Sequence, residues 1–325
     1  MKEICPSEFF QDKNFNLNEI ISLTNLSFQK KNYIKNFPQV FKTANKEFLF
    51  LIKYNNIPVA FCSLFGVTFQ IEKNTLIGYC IGSVCTHPNF RNLGLAKKIL
   101  ALAEKHAYQK YADFVFLFSE KVHFYSQLNY VQAGKVSLAQ FSKKSTQPKG
   151  YHNLEQLQKL TSNIDFLKNY TLFYRKNAHD LLEEEKRKIW SFIIQKSIIG
   201  ESILSYLEFS DIIKIKQMSI YYLLKKDEIK CVCFFNKGDD FENVVHSTYY
   251  EKKDYILYII KEILKKKKEV IFFTGPLYKD FESHFMYENI PCMFLKTFNE
   301  KKLPNIVLQN LCIKNKIFVR SLQGT

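Results

Sequence analysis

The feature that most restricts the fold is an ordered run of segments between residues 76 and 118. An extended stretch (76–86) leads into a loop holding Pro88 and Gly94. A long amphipathic helix (95–111) follows, and then the apolar run Phe114-Val115-Phe116-Leu117-Phe118. In the helix, Leu95, Ile99, Leu102 and His106 share a face with Ala96, Leu100, Ala103 and Ala107, while Lys97, Lys98, Glu104 and Lys105 fall mostly off it. Strand, helix, strand in this order makes a crossover whose two strands lie parallel, right-handed by default. Gly78 and Gly82 inside the first strand mark a bulge or a close backbone contact.

Around this run the chain mixes helices with hairpins. Residues 1–46 read as helical, with Leu17, Ile20, Ile21 and Leu26 near helical spacing and a second short helix over 33–41. Residues 48–52 and 58–68 form a hairpin about Asn55-Asn56. Residues 121–128 make a short helix and 130–134 an extended segment. From 142 to 151 the composition turns to Ser, Thr, Lys, Gln, Pro and Gly, the best domain boundary in the chain. The expected division is a first domain over 1–145, a linker with a connecting helix over 146–169, and a second domain over 170–325.

The second half echoes the first. A hairpin over 219–224 and 229–235 is followed by a strand at 241–246, a helix at 254–266 and Val270-Ile271-Phe272-Phe273-Thr274. Laid without gaps from Val84 over Val245, the helices coincide, but Lys252 falls under Arg91, Tyr255 under Gly94 and Leu257 under Ala96. The architecture repeats while the loop does not. Both halves are of the α+β class.

The bulk numbers remove several alternatives. With 46% hydrophobic and 24% charged residues in 325, the chain is globular rather than disordered. No apolar run approaches the roughly 20 residues of a membrane helix, and the first residues lack a signal-peptide core. A cytoplasmic protein without a membrane partner is expected. The net charge of +16 comes from lysines spread along the whole chain, and Lys265-Lys266-Lys267-Lys268 falls at a helix end, where cations suit the dipole. No nucleic-acid partner is expected. The eight cysteines are scattered, with Cys231 and Cys233 on one strand face, and read as reduced, buried thiols. The seven histidines lack metal-ligand spacing, so no metal is expected, and His246 reads as structural.

The loop Arg91-Asn92-Leu93-Gly94-Leu95-Ala96 carries the functional signal. A helix N-terminus offers backbone N–H groups without intrahelical partners and the positive end of the dipole. Gly94 permits a tight path, Ala96 keeps the first turn low, and Arg91 adds a fixed charge, so an anion can approach closely. The amides of Asn92 and Leu93 matter more than their side chains.

With Val84-Cys85-Thr86-His87-Pro88-Asn89-Phe90 before that loop, and Phe124-Tyr125-Ser126-Gln127-Leu128-Asn129-Tyr130 after the crossover, residues 45–135 resemble the GNAT superfamily of acetyl-CoA-dependent N-acetyltransferases. Gln127 stands where the family has a basic residue and Asn129 where it has glycine, although Asn tolerates a left-handed backbone. The resemblance implies a central, mostly antiparallel sheet with splayed strands, followed by a degenerate second GNAT-like domain that shapes or covers the acceptor site.

The resemblance also implies a chemistry. Val84, Cys85 and Thr86 would bond the pantetheine arm of acetyl-CoA, Arg91 through Ala96 its pyrophosphate, and Ser119 would lie near that arm. A primary amine of a small molecule, peptide or protein lysine would attack the thioester directly, within a ternary complex. A strand N–H would stabilise the oxyanion, and Tyr125 would act as general acid to the CoA thiolate. Glu120, Tyr79 and Ser83 are the candidates for the base, between which strand register decides. Cys85 is read as a packed thiol rather than an acyl carrier, having no His/acid partner motif. The rival reading is a non-catalytic acyl-CoA-binding regulatory protein on the same scaffold.

Overall fold

The structure, a computed structural model, describes residues 9–71, 74–133, 135–142, 151–153, 157, 169–197, 202–237, 242–273, 288–291, 293–299 and 303–313. The chain divides into two units, Met1–Ala133 with Cys292–Lys314 and Thr325, and Gly134–Pro291 with Asn315–Gly324.

The first unit begins with β1 (Phe9–Asp12), a strand where helix was expected. Then comes α1 (Leu17–Phe28), started by a capping box in which Asn16 and Glu19 each accept the other's backbone N–H. The second short helix reduces to a single 3-10 turn, Tyr33–Asn36, ahead of Pro38. The hairpin is β2 (Leu49–Tyr54) and β3 (Ile57–Ile71). Its turn residues Asn55 and Asn56 both have positive φ, the handedness that matches strand twist. The crossover follows as β4 (Asn74–Thr86), α2 (Leu95–Gln109) and β5 (Phe114–Phe118), with β4 and β5 parallel. Leu95, Ile99, Leu100, Ala103 and Ala107 of α2 are buried against the sheet. Burial of a side chain the size of Ile99 or Leu100 contributes roughly 1.5–3 kcal/mol. Gly78 is required by packing, since a Cβ there would lie 2.7 Å from the ring of Phe114. The short helix α3 (Val122–Ser126) and β6 (Val131–Gln132) complete this stretch.

The sheet is finished by a distant part of the chain. Its strand order is β1-β2-β3-β4-β5-β15-β6, where β15 is Met293–Thr297. Apart from β4 with β5, the pairs are antiparallel. Lys296 of β15 and Tyr130 both bond the Glu104 carboxylate of α2, at 2.7 and 2.9 Å.

The second unit takes the strand next in sequence after β6. Its order is β14-β7-β13-β12-β11-β10-β9, with β8 (Tyr151–Asn153) beside β7. Here β7 is Lys135–Ser142, β9 Thr171–Arg175, β10 Ser219–Lys225, β11 Glu228–Phe235, β12 Val244–Tyr250, β13 Glu269–Phe273 and β14 Glu288–Pro291. Helices α4 (Glu183–Lys196) and α5 (Tyr206–Ile212) precede β10, and α6 (Lys253–Lys266) crosses from β12 to the parallel β13. Ile256, Ile259, Ile260 and Ile263 of α6 are fully buried. The last helix, α7 (Asn305–Ile313), belongs to the first unit.

The contiguous division expected at 145 and 170 is therefore replaced by an interleaved one. The chain leaves the first unit after Ala133, contributes β7 to the second sheet, and returns with β15. Backbone hydrogen bonding is indifferent to sequence distance, so each sheet takes whichever strand satisfies its open edge. The connecting helix expected over 154–167 lies outside the described residues except for Leu157, and Thr274 also lies outside them. The six described free cysteines are buried, Cys231 and Cys233 among them.

Candidate functional site

The site begins with a fault in the ladder between β3 and β4. Phe61 pairs with Cys85 and Ser63 with Gly82, so Ser83 and Val84 together stand opposite Cys62. This is a β-bulge, and Ser83 has the left-handed φ of 54°. On its other side β4 pairs with β5 at Gly78, Tyr79 and Cys80. Beyond Cys80 the described pairing between these strands stops, while the opposite edge of β5 pairs with β15 along its whole length. The strands thus splay, and alternate backbone groups of β4 near Thr86 face the gap, since His87 N–H is committed to Val59 C=O at 2.9 Å.

A loop and a bare helix end close the wide side of this gap. His87 caps a 3-10 turn, Pro88–Phe90, its Nδ1 accepting from Asn89 N–H at 3.2 Å. Asn92 and Gly94 are left-handed, with φ of 65° and 72°. A Cβ on Gly94 would meet nothing within 4 Å, so the glycine serves conformation rather than space. Helix α2 starts at Gly94 with no side-chain cap and no acidic residue in its first turn. Its leading N–H groups and its dipole are left to an external anion.

These elements line a cavity of about 580 Å³. It is walled by Val84, Cys85, Thr86 and Phe90 from the strand and turn, and by Arg91, Asn92, Gly94, Leu95, Ala96 and Lys97 from the loop and helix. Ser27 and Phe28 from α1, and Lys121, Phe124 and Tyr125 from the α3 region, complete it. Among the described residues the lining holds three cations, Arg91, Lys97 and Lys121, and no carboxylate or histidine.

Tyr125 is the buried polar group of this wall. Burial pushes its phenol up to about 12, and a hydrogen bond from Ser119 opposes that rise. Ser119 Oγ accepts from Lys121 N–H at 3.1 Å. Asn129, two residues past Gln127, has φ of 64°, the conformation glycine would otherwise supply. Gln127 itself bonds the His123 ring at 2.9 Å.

Of the residues expected at the site, Val84, Cys85, Thr86, Arg91, Asn92, Gly94, Leu95, Ala96 and Tyr125 line one cavity. Leu93 and Ser119 do not: Leu93 is 44% exposed, and Ser119 hydrogen-bonds the Tyr125 phenol. The three candidates for the base are also absent from the lining. Tyr79 stacks on Phe48 with centroids 5.9 Å apart, Glu120 is exposed, and Ser83 bonds Tyr33. Burial raises the Cys85 thiol to about 12, so it is held as an unreactive thiol. Lys97 and Lys121 are cations that sequence reading passed over. Lys97 directly follows Ala96 and was legible there. Ser27 and Phe28 carry no local signal, because α1 reaches the cavity only through tertiary packing.

The second unit keeps the bulge but not the loop. Phe234 pairs with Ser247 and Phe235 with Val245, so His246 is the extra residue of β12. Only Glu251 and Lys252 separate β12 from α6, where residues 87–94 separate β4 from α2. Tyr255 is buried and its hydroxyl meets that of Tyr170 at 2.9 Å.

Residues 13–133 match the family described as acetyltransferase (GNAT) domain. No curated protein matches the sequence. Among solved structures, a GCN5-related N-acetyltransferase from Anabaena variabilis superposes with a TM-score of 0.64 at 11% identity, covering 90% of this chain and 73% of that one. One from Kribbella flavida gives 0.61 at 10% identity, covering 89% and 71%. Saccharomyces cerevisiae N-myristoyltransferase with bound myristoyl-CoA gives 0.58 at 12% identity, covering 90% and 81%. The likeness is one of fold.

Proposed function

Residues 13–133 being a GNAT acetyltransferase domain, we propose that the protein is an N-acetyltransferase that moves an acetyl group from acetyl-CoA to a primary amine. One observation carries the proposal. A single cavity joins the bare N-terminus of α2 and its three cations to the protonated phenol of Tyr125. An anion at one end and a departing thiolate at the other describe the two ends of a CoA thioester.

In this reading the pyrophosphate takes the N–H groups of Gly94, Leu95 and Ala96 and the charges of Arg91 and Lys97. The pantetheine arm lies along Val84, Cys85 and Thr86 in the splay, on the β5-facing edge of β4, which past Cys80 has no strand partner among the described residues. The amine of a small molecule, peptide or protein lysine attacks the thioester carbonyl, and a β4 N–H beyond the bulge receives the developing oxyanion. Tyr125 then gives its proton to the CoA sulfur as the C–S bond breaks, and the proton that the amine nitrogen gives up to solvent restores the phenol. The protein works in the cytoplasm, and the second unit is a GNAT-like copy that binds no CoA, its loop being cut to two residues. Release of free CoA from acetyl-CoA with a panel of amines tests the reading. No thiol release with any amine, despite tight acetyl-CoA binding, overturns it.

A second reading is favoured by a lining that holds no carboxylate or histidine among the described residues, since the attacking amine must lose a proton. It is a regulatory protein that binds acyl-CoA without turning it over. Tight binding with no thiol release is its signature.

A further inference from the structure

Ser83 is a serine in backbone that favours glycine. As the first residue of the β4 bulge it has φ of 54°, a conformation that costs a residue with a side chain about 1–2 kcal/mol. Such a residue persists only where its surroundings hold it. At Ser83 the holder is Tyr33, whose hydroxyl lies 3.1 Å from Ser83 Oγ.

Tyr33 is itself fixed on several sides. It is buried, and its ring stacks on Phe28 with centroids 4.4 Å apart and planes at 11°. Phe28 is part of the cavity wall. Phe41 meets Tyr33 edge-on at 6.4 Å and stacks on Phe61 at 5.9 Å, and Phe61 pairs with Cys85 just past the bulge. Tyr33 is therefore tied to β4 through its hydroxyl, to β3 through the rings of Phe41 and Phe61, and to the cavity wall through Phe28.

A bulge re-aims the residues that follow it, here Val84, Cys85 and Thr86. We infer that Tyr33 is a positioning residue for acyl transfer: by bonding Ser83 it sets the β4 bulge and so aims the backbone N–H beyond it at the thioester carbonyl oxygen. This rests on the acyl-CoA reading above. It explains why a serine rather than a glycine occupies the left-handed position: glycine would adopt the conformation freely but offer Tyr33 nothing to bond.

The test is the infrared carbonyl band of acetyl-CoA, labelled with carbon-13 at the thioester and bound to the full chain. In the unaltered protein the band falls below its frequency in water. In Tyr33→Phe it returns toward the free value, and turnover falls about tenfold with KM for acetyl-CoA unchanged, as expected for a misaimed oxyanion donor. Adding Ser83→Gly to Tyr33→Phe restores both, because glycine holds the left-handed backbone unaided. A band and rate unmoved in Tyr33→Phe, or not restored by the glycine, overturns the inference. Should Tyr33→Phe fold poorly, Ser83→Ala removes the same bond from a half-buried site and carries the same expectations. If the unaltered protein binds no acetyl-CoA, the acyl-CoA reading falls with it; a bound, shifted band indifferent to Tyr33 removes the positioning role alone.

Discussion

The ring of Tyr125 packs 5.7 Å from that of Phe294, centroid to centroid, with the planes tilted by 33°. Phe294 is fully buried on β15, a strand that enters the first sheet only after the chain has passed through Gly134–Pro291 of the second unit. The phenol proposed as general acid is thus held by a side chain from the far end of the chain. Phe294→Ala should destabilise the protein by about 3–5 kcal/mol, as aromatic-to-alanine changes in a core do. Thermal denaturation measures this, and Phe294→Leu should recover most of the loss.

The same relationship predicts the effect of shortening the chain. A chain ending at Pro291 keeps every residue of the loop proposed to hold the cofactor but loses β15, leaving β5 with an open edge and Tyr125 without the Phe294 ring. Acetyl-CoA should no longer raise its melting temperature. An undiminished shift would show that the first unit folds without β15.

Tyr125→Phe should lower turnover at least about a hundredfold, the usual worth of a general acid, while acetyl-CoA affinity stays within about twofold because the ring still fills its place. The pH dependence has a definite sign. Burial raises the phenol to about 12, so Tyr125 stays protonated through neutral and mildly alkaline solution. Its share of activity is lost only as pH rises through about 12. The linked stability is fully present below the unfolded-state value of about 10 and is lost as pH rises from there through the folded value. A pH-rate profile falling near pH 8 in step with Tyr125, and absent in Tyr125→Phe, would contradict this.

Arg91→Glu combined with Gly94→Val should abolish the stabilisation that acetyl-CoA gives, by reversing a charge and straining the left-handed turn by about 1–2 kcal/mol. The protein should still fold, since a Cβ at Gly94 meets nothing within 4 Å. Thermal shift with and without acetyl-CoA reads this directly. An equal shift in the double variant would move the anion site elsewhere.

Cys85 lines the cavity, yet burial holds its thiol near 12. It should resist iodoacetamide at pH 8, where an exposed thiol reacts. Cys85→Ala should keep turnover within about threefold, since direct attack needs no acyl-enzyme. Mass spectrometry after mixing with acetyl-CoA should find no acetylated Cys85 peptide.

Local features were legible in the sequence because their causes are local. Asn55-Asn56 and Lys226-Asp227 mark hairpin turns because such turns need positive φ, which these residues show. The spacing from Leu95 to Ala107 sets one face of α2, and Gly94 before it leaves the helix end without a side-chain cap, so the shape of this loop could be read without coordinates. The interleaving of the two units could not. No strand is expected from the sequence at Met293-Phe294-Leu295, and a strand pairs through backbone groups that every residue shares, so an apolar run does not name its partner. Only the tertiary structure decided that β7 joins the second sheet and β15 the first, that Phe28 and Lys121 reach the cavity, and that Tyr33 holds Ser83. Each depends on contacts closed over long chain separations, which the periodicity of neighbouring residues does not encode.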